Sequence, residues 1–178
     1  EKIHPLFIGS HPMAGTEEKG VNAGNIHLLE NANWIITPTN RTDHHSLKIL
    51  TQLIESMNCQ VLIEAPEIHD QAVALISHLP IYLASSLIET ANYESDIKLL
   101  ALSRKIASTG FLDTSRVGGG NPILGKDLAK NNTDNILNSL NIFKKKLCEL
   151  EKIIQSNNWE LLEEKLQNTR QLRDYFLK

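Results

Sequence analysis

The spacing of apolar positions changes once along the chain. Up to about Ala65, short apolar runs alternate with one helical stripe. Pro5-Leu6-Phe7-Ile8 reads as a strand buried on both faces, broken by the turn-forming residues of Gly9-Ser10-His11-Pro12-Met13-Ala14-Gly15. Trp34-Ile35-Ile36-Thr37 is a second strand closed by Pro38. Asp43 then stands where a helix cap belongs, ahead of Leu47, Leu50, Leu53, Ile54 and Met57 at helical spacing. Gln60 to Glu64 forms a third strand, ended by Pro66. Strand, helix and strand in units this short predict parallel pairing with right-handed crossovers.

From Glu67 onward the pattern is helical. The predicted runs are Ile68 to Ala91, Ser95 to Ser108, Pro122 to Lys130, Thr133 to Gln155 and Asn158 to Leu177, with Ser95, Thr133 and Asn158 as caps and Gly110 as a stop. Ser77, His78, Pro80, Tyr82, Ser85 and Ser86 interrupt the apolar stretch Ala72 to Ile88, which therefore reads as a buried core helix and not as a membrane span. Pro80 lacks a backbone donor and predicts a kink or break near His78. Apolar stripes at Ile136, Leu140, Phe143, Leu147, Leu150 and Ile154, then Leu162, Leu166 and Phe176, require a covering surface, in the same domain or on a second subunit. The fold class expected is an α/β fragment over residues 1–65 followed by an all-α domain over 66–178. A buried strand so early in the chain leads us to expect further sequence upstream.

Composition narrows the function. The 178 residues are 41% hydrophobic and 22% charged with a net charge of −3, so no basic excess attracts nucleic acid; Lys144-Lys145-Lys146 reads as a solvated helix face. Cys59 and Cys148 have no metal-type spacing, and no signal peptide is visible, which points to a reducing, cytoplasmic setting.

Two segments carry candidate chemistry. His11 follows a strand at the carboxyl end of an α/β sheet, where such folds place ligands. Phe111 to Pro122 contains Gly118-Gly119-Gly120, a backbone able to approach a ligand and expose amide donors, next to Arg116, whose planar fork suits a carboxylate or phosphate. Neither is specific alone, since the segment lacks the spacings of nucleotide-binding loops. His69 and His78, nine residues apart, should point about 180° apart on a regular helix and share no metal. His44 and His45 should face solvent, while His4 and His27 have no ligand pattern. A metal site is not expected.

Taken together, GSHPMAGT (Gly9 to Thr16), HDQAVALISHLP (His69 to Pro80) and DTSRVGGGNP (Asp113 to Pro122) resemble the prephenate and arogenate dehydrogenases of tyrosine biosynthesis, in particular their cyanobacterial form. The resemblance implies a Rossmann-like NAD(P)-binding domain, of which residues 1–65 are the end, and a helical domain for substrate binding and homodimer formation. The family reaction is oxidative decarboxylation of a small cyclohexadienol with hydride transfer to NADP or NAD. The cofactor loop is expected upstream of Glu1, so this chain alone should bind the cofactor poorly. His11 would take the ring hydroxyl's proton and Arg116 would hold a substrate carboxylate. Thr16 is carried over as a pocket hydroxyl and Glu17 and Asp113 as a polar network, while His78 supports the substrate pocket. Members that use prephenate often read SHLPH, and here Ile81 replaces the second histidine, which favours L-arogenate. The rivals are a 3-hydroxyacid dehydrogenase of similar plan, which needs a catalytic lysine on the helical domain, and a non-enzymatic helical dimerisation module.

Overall fold

A computed structural model describes residues 7–15, 24–25 and 27–177, and within them the first part of the chain forms one sheet of order β1-β2-β3. Its strands are β1 (Gly9–Pro12), β2 (Asn33–Thr37) and β3 (Gln60–Ile63). The parallel expectation holds for β2 and β3, paired from Asn33↔Gln60 to Ile36↔Ile63 and joined by α1 (His44–Ser56). β1 departs from it. It runs antiparallel to β2, with His11 opposite Ile35 and Pro12 opposite Trp34.

The first strand also lies later than its apolar run suggested. Ile8 precedes it, and His11 sits within it instead of beyond its end. Hydrophobicity favours the run Pro5-Leu6-Phe7-Ile8, but hydrogen bonding to β2 decides the strand, and Pro12 is tolerated because β1 is an edge of the described sheet. Pro5 and Leu6 lie outside the described residues.

Asp43 caps α1 as expected, accepting from Ser46 N at 2.8 Å. Ile36 and Ile54 are fully buried and, with Cys59, form a core surrounded by Ile8, Leu29, Trp34, Leu47, Leu50, Met57 and Val61. Leu53, expected on the same face, is 57% exposed.

The helical part begins with α2 (Pro66–Val73), a π-helical turn (Ala74–His78) and α3 (Leu79–Asn92), continuous in the chain. The interruption lies where Pro80 predicts it, and it widens the helix instead of breaking it. A proline cannot donate to the carbonyl four residues back and its ring crowds that carbonyl; the wider turn relieves both. Residues Pro66–Asn92 are long and apolar enough to cross a membrane by length and composition, with mean hydropathy 1.5. Burial of this run is one-sided. Val73, Ala74, His78 and Ala84 are buried, while Ile68, Leu75 and Ile76 are about half exposed, so the fully buried core helix expected from composition is not formed.

The remaining helices are α4 (Ile97–Ile106), α5 (Thr109–Ser115), α6 (Pro122–Asn131), α7 (Thr133–Gln155) and α8 (Trp159–Arg173), with a 3₁₀ turn Arg116–Gly119 between α5 and α6. Asn158 caps α8 through Leu161 N. Asp96 rather than Ser95 caps α4, accepting from Lys98 N and Leu99 N. Thr133 is no cap, because its hydroxyl donates back to Ala129 O at 2.6 Å. Gly110 lies inside α5 and stops nothing. α7 and α8 are linked by Lys165 to Glu149 at 3.0 Å, through a turn in which Asn157 takes a positive φ of 52°.

Candidate active site

The wider turn changes which side chains meet. On a regular helix His69 and His78 point apart; one extra residue in the turn reduces their separation to roughly 80°. Both now lie toward His11 on the sheet. His11 Nδ1 is 2.9 Å from His69 Nε2, and His69 Nδ1 is 2.9 Å from Asp70 Oδ1. His78 is buried, close enough to both other imidazoles for their charges to oppose its own. The expectation that His69 and His78 face apart is therefore corrected. Among the described residues no group of three His, Cys, Asp or Glu side chains is arranged to hold a metal ion.

Asn132, at the start of α7, ties the cluster to the helical part. Its Nδ2 donates to Asp70 O at 2.7 Å and stands 3.4 Å from His78 Nδ1. Asn135 Nδ2 holds Asn132 Oδ1 at 2.8 Å. Burial, and secondarily the neighbouring His69, push the His11 pKa below its ordinary 6.5. Burial does the same for His78, against the opposing pull of Asp70. Both imidazoles thus favour the neutral form, which in His11 is the form able to accept a proton.

The glycine-rich segment builds a second feature. Arg116 lines a pocket of about 730 Å³ with Ile76, Ser77, Ile81, Asn121 and Lys126. Tyr82 OH closes one wall by donating to Gly125 O at 2.8 Å. The glycine triplet serves helix contact before ligand contact. A Cβ on Gly118 would lie 2.4 Å from the α3 backbone at Ala84 C and Ser85 N, so only glycine lets the 3₁₀ turn seat on α3.

The two features share one turn. His78 closes the π turn on the histidine side, and Ile76 and Ser77 of the same turn form wall of the Arg116 pocket. His11 and His78 are not among the residues lining that pocket. Asp113 lies exposed on α5, also outside the lining. Thr16 and Glu17 lie outside the described residues, as does His4. His44 and His45 are exposed, as expected, and His27 pairs with Glu30 at 2.7 Å. Sequence reasoning missed His69, Asp70, Asn132 and Lys126. The sequence signal for His69 is Pro80, which changes the helical phase between His69 and His78.

Comparison with known proteins identifies the architecture. The family profile for the prephenate dehydrogenase dimerization domain matches residues 65–168, and that for the prephenate dehydrogenase nucleotide-binding domain matches residues 1–63. The chain belongs to the prephenate dehydrogenase family. Prephenate dehydrogenase of Bacillus subtilis (strain 168) is 30% identical over 168 residues, covering 94% of this chain and 45% of the relative. Among solved structures, Synechocystis arogenate dehydrogenase superposes with a TM-score of 0.89 at 40% identity, covering 96% of this chain and 61% of that one. Prephenate dehydrogenase from A. aeolicus, in complex with hydroxyphenyl propionate and NAD+, gives 0.87 at 32% identity over 94% of this chain and 58% of that one. This prephenate dehydrogenase family chain spans about half the length of the curated relatives it matches. Membership sets aside the 3-hydroxyacid dehydrogenase alternative.

Proposed function

We propose that the chain forms the substrate-binding portion of a cytoplasmic, NADP- or NAD-dependent dehydrogenase of tyrosine biosynthesis that oxidises and decarboxylates L-arogenate in preference to prephenate. The observation that carries this reading, beside family membership, is the π turn that gives one wall to the histidine cluster and another to the Arg116 pocket. The proposed proton acceptor and carboxylate clamp thereby both neighbour one turn of helix.

This chain's own part in the proposed chemistry is acceptance of a proton and orientation of substrate. The nicotinamide, when bound, supplies the hydride acceptor. His11 takes the hydroxyl proton of the substrate at Nε2, the ring nitrogen that does not face His69, as hydride leaves the carbinol carbon. The ring carboxylate departs as carbon dioxide and its bonding electrons complete the aromatic ring. Arg116 holds a substrate carboxylate, a task for which its fork geometry fits. Thr16 as a substrate-site hydroxyl and Glu17 and Asp113 as a polar network enter this proposal on the motif resemblance alone, and buried His78 would support the histidine side of the site.

Ile81 lines the Arg116 pocket. An aliphatic side chain there offers no donor to a pyruvyl keto acid, which favours the alanyl side chain of arogenate. The partner we propose is a second copy of this chain. Between Ile97 and Thr114 none of the described residues is buried, and Ile97, Leu102 and Ile106 are 81%, 52% and 66% exposed, an apolar face that a dimerization domain would cover.

The test is to follow nicotinamide reduction by the intact protein with arogenate and prephenate separately, each with NADP+ and NAD+. We expect arogenate with NADP+ to give a kcat/KM at least about tenfold above prephenate, a difference of roughly 1.4 kcal/mol in transition-state binding. Turnover of neither substrate would overturn the reading.

A further inference from the structure

The histidine pair is more ordered than an isolated base requires. Besides the 2.9 Å contact between His11 Nδ1 and His69 Nε2, the two rings meet edge to face with centroids 5.2 Å apart at 71°. Asp70 Oδ1 lies 2.9 Å from His69 Nδ1. An ionised carboxylate only accepts, so the proton in that contact is on His69 Nδ1. A neutral imidazole carries a single N–H, which leaves His69 Nε2 a bare acceptor. The proton between the two rings therefore belongs to His11 Nδ1, and the lone pair of His11 is left on Nε2.

We propose that His69 is a positioning residue through which Asp70 fixes His11 as its Nδ1–H tautomer, presenting a bare Nε2 to the substrate hydroxyl. This rests on the reading of His11 as proton acceptor. The opposite tautomer would place an N–H where a lone pair is needed, and no proton could be taken there. When Nε2 gains the hydroxyl proton, the Nδ1–H stays donated to His69 and the new positive charge is stabilised through it by Asp70. Asn132 keeps the arrangement in place by binding the Asp70 carbonyl at 2.7 Å. Among the described residues, the titratable groups grouped with His11 are His69 and Asp70 from α2 and His78 from the π turn.

The tautomer is read directly from imidazole nitrogen shifts in the nitrogen-15-labelled chain at neutral pH. We expect His11 in the Nδ1–H form, a shift toward Nε2–H in His69→Phe, and its return in His69→Gln, whose Oε1 replaces Nε2 as acceptor. Asp70→Asn, which leaves the ring contact in place, should shift the same signal in the same direction as His69→Phe and covers the case in which that variant does not fold. In the intact protein, His69→Phe should lower kcat by about 10²-fold with KM within about twofold, and His69→Gln should recover at least about tenfold of the loss. An Nε2–H tautomer in the unsubstituted chain overturns the proposal, as does unchanged turnover in a folded His69→Phe. Because the tautomer needs no turnover, an intact protein inactive on both substrates sinks the reaction assigned above, while the His11 signal still decides this inference.

Discussion

The sheet unit and the α4–α5 segment treat the same kind of side chain in opposite ways. In the sheet unit Ile36 and Ile54 are 0% exposed and enclosed by residues from β2, α1 and β3. In α4, Ile97 and Ile106 are 81% and 66% exposed, and in α5 Leu112 is 61% exposed. Their helices satisfy the backbone, and Asp96 caps the first of them, so local structure is complete while burial is not. A strand pair with a crossover helix closes its core within about thirty residues, whereas a short amphipathic helix depends on another surface to gain hydrophobic stabilisation. The proposed second copy supplies it. The proposed chemistry divides along the same line, with His11 on the sheet and Arg116 in the 3₁₀ turn of the helical part.

The sharpest way to separate the two regions is through kinetics of the intact protein. His11→Asn should lower kcat by about 10² to 10⁴-fold with little change in KM, since on the proposed reading it removes the proton acceptor of the transition state. Arg116→Ala should act mainly on KM, raising it by roughly tenfold or more through lost orientation and binding. Equal losses in both parameters for both variants would contradict the division of labour.

Stability should separate them next. Ile36→Ala leaves a cavity in a closed core and is expected to cost about 2 to 5 kcal/mol in denaturant unfolding. Ile97→Ala should leave the unfolding of the dilute chain within about 0.5 kcal/mol and instead weaken association, seen as a shift toward monomer in sedimentation. A core-sized loss from Ile97→Ala in the dilute chain would mean that α4 is covered from within. Gly118→Ala should cost about 1 to 3 kcal/mol, because a methyl group meets α3 backbone and not a movable side chain; it should also raise KM by displacing the turn that carries Arg116.

What could be read from the chain follows the range of the forces involved. The α1 cap at Asp43, the α8 cap at Asn158 and the disturbance ahead of Pro80 are local and were legible. The antiparallel pairing of β1 was not, since the residues of Gly9–Pro12 do not encode which neighbour they meet, and their apolar preamble favoured an earlier strand. Arg116 is legible as a candidate, but the sequence shows Gly118 only as backbone able to approach a ligand, and it is the distant Ala84–Ser85 backbone that requires a glycine there. The His11–His69 contact was the least accessible. It joins residues 58 apart in sequence and depends on a change of helical phase that a constant angle per residue removes.

The smallest expected effect concerns pH, and it bears on the buried histidine that joins the two regions. His78 is 8% exposed, and its pKa is lowered from 6.5, first by burial. In the unfolded chain it regains its ordinary value, so below about pH 6.5 the unfolded state binds a proton that the folded state refuses. Stability is therefore fully present above the unfolded pKa and declines as pH falls toward the depressed folded one. The melting temperature should drop between pH 7 and pH 5, and His78→Gln, which cannot titrate, should show a shallower drop. His11, shifted in the same direction, accounts for part of the slope that remains. Parallel slopes in the two proteins would show that the π turn holds His78 without cost to its charged form, and that the link between sheet and helices is indifferent to protonation.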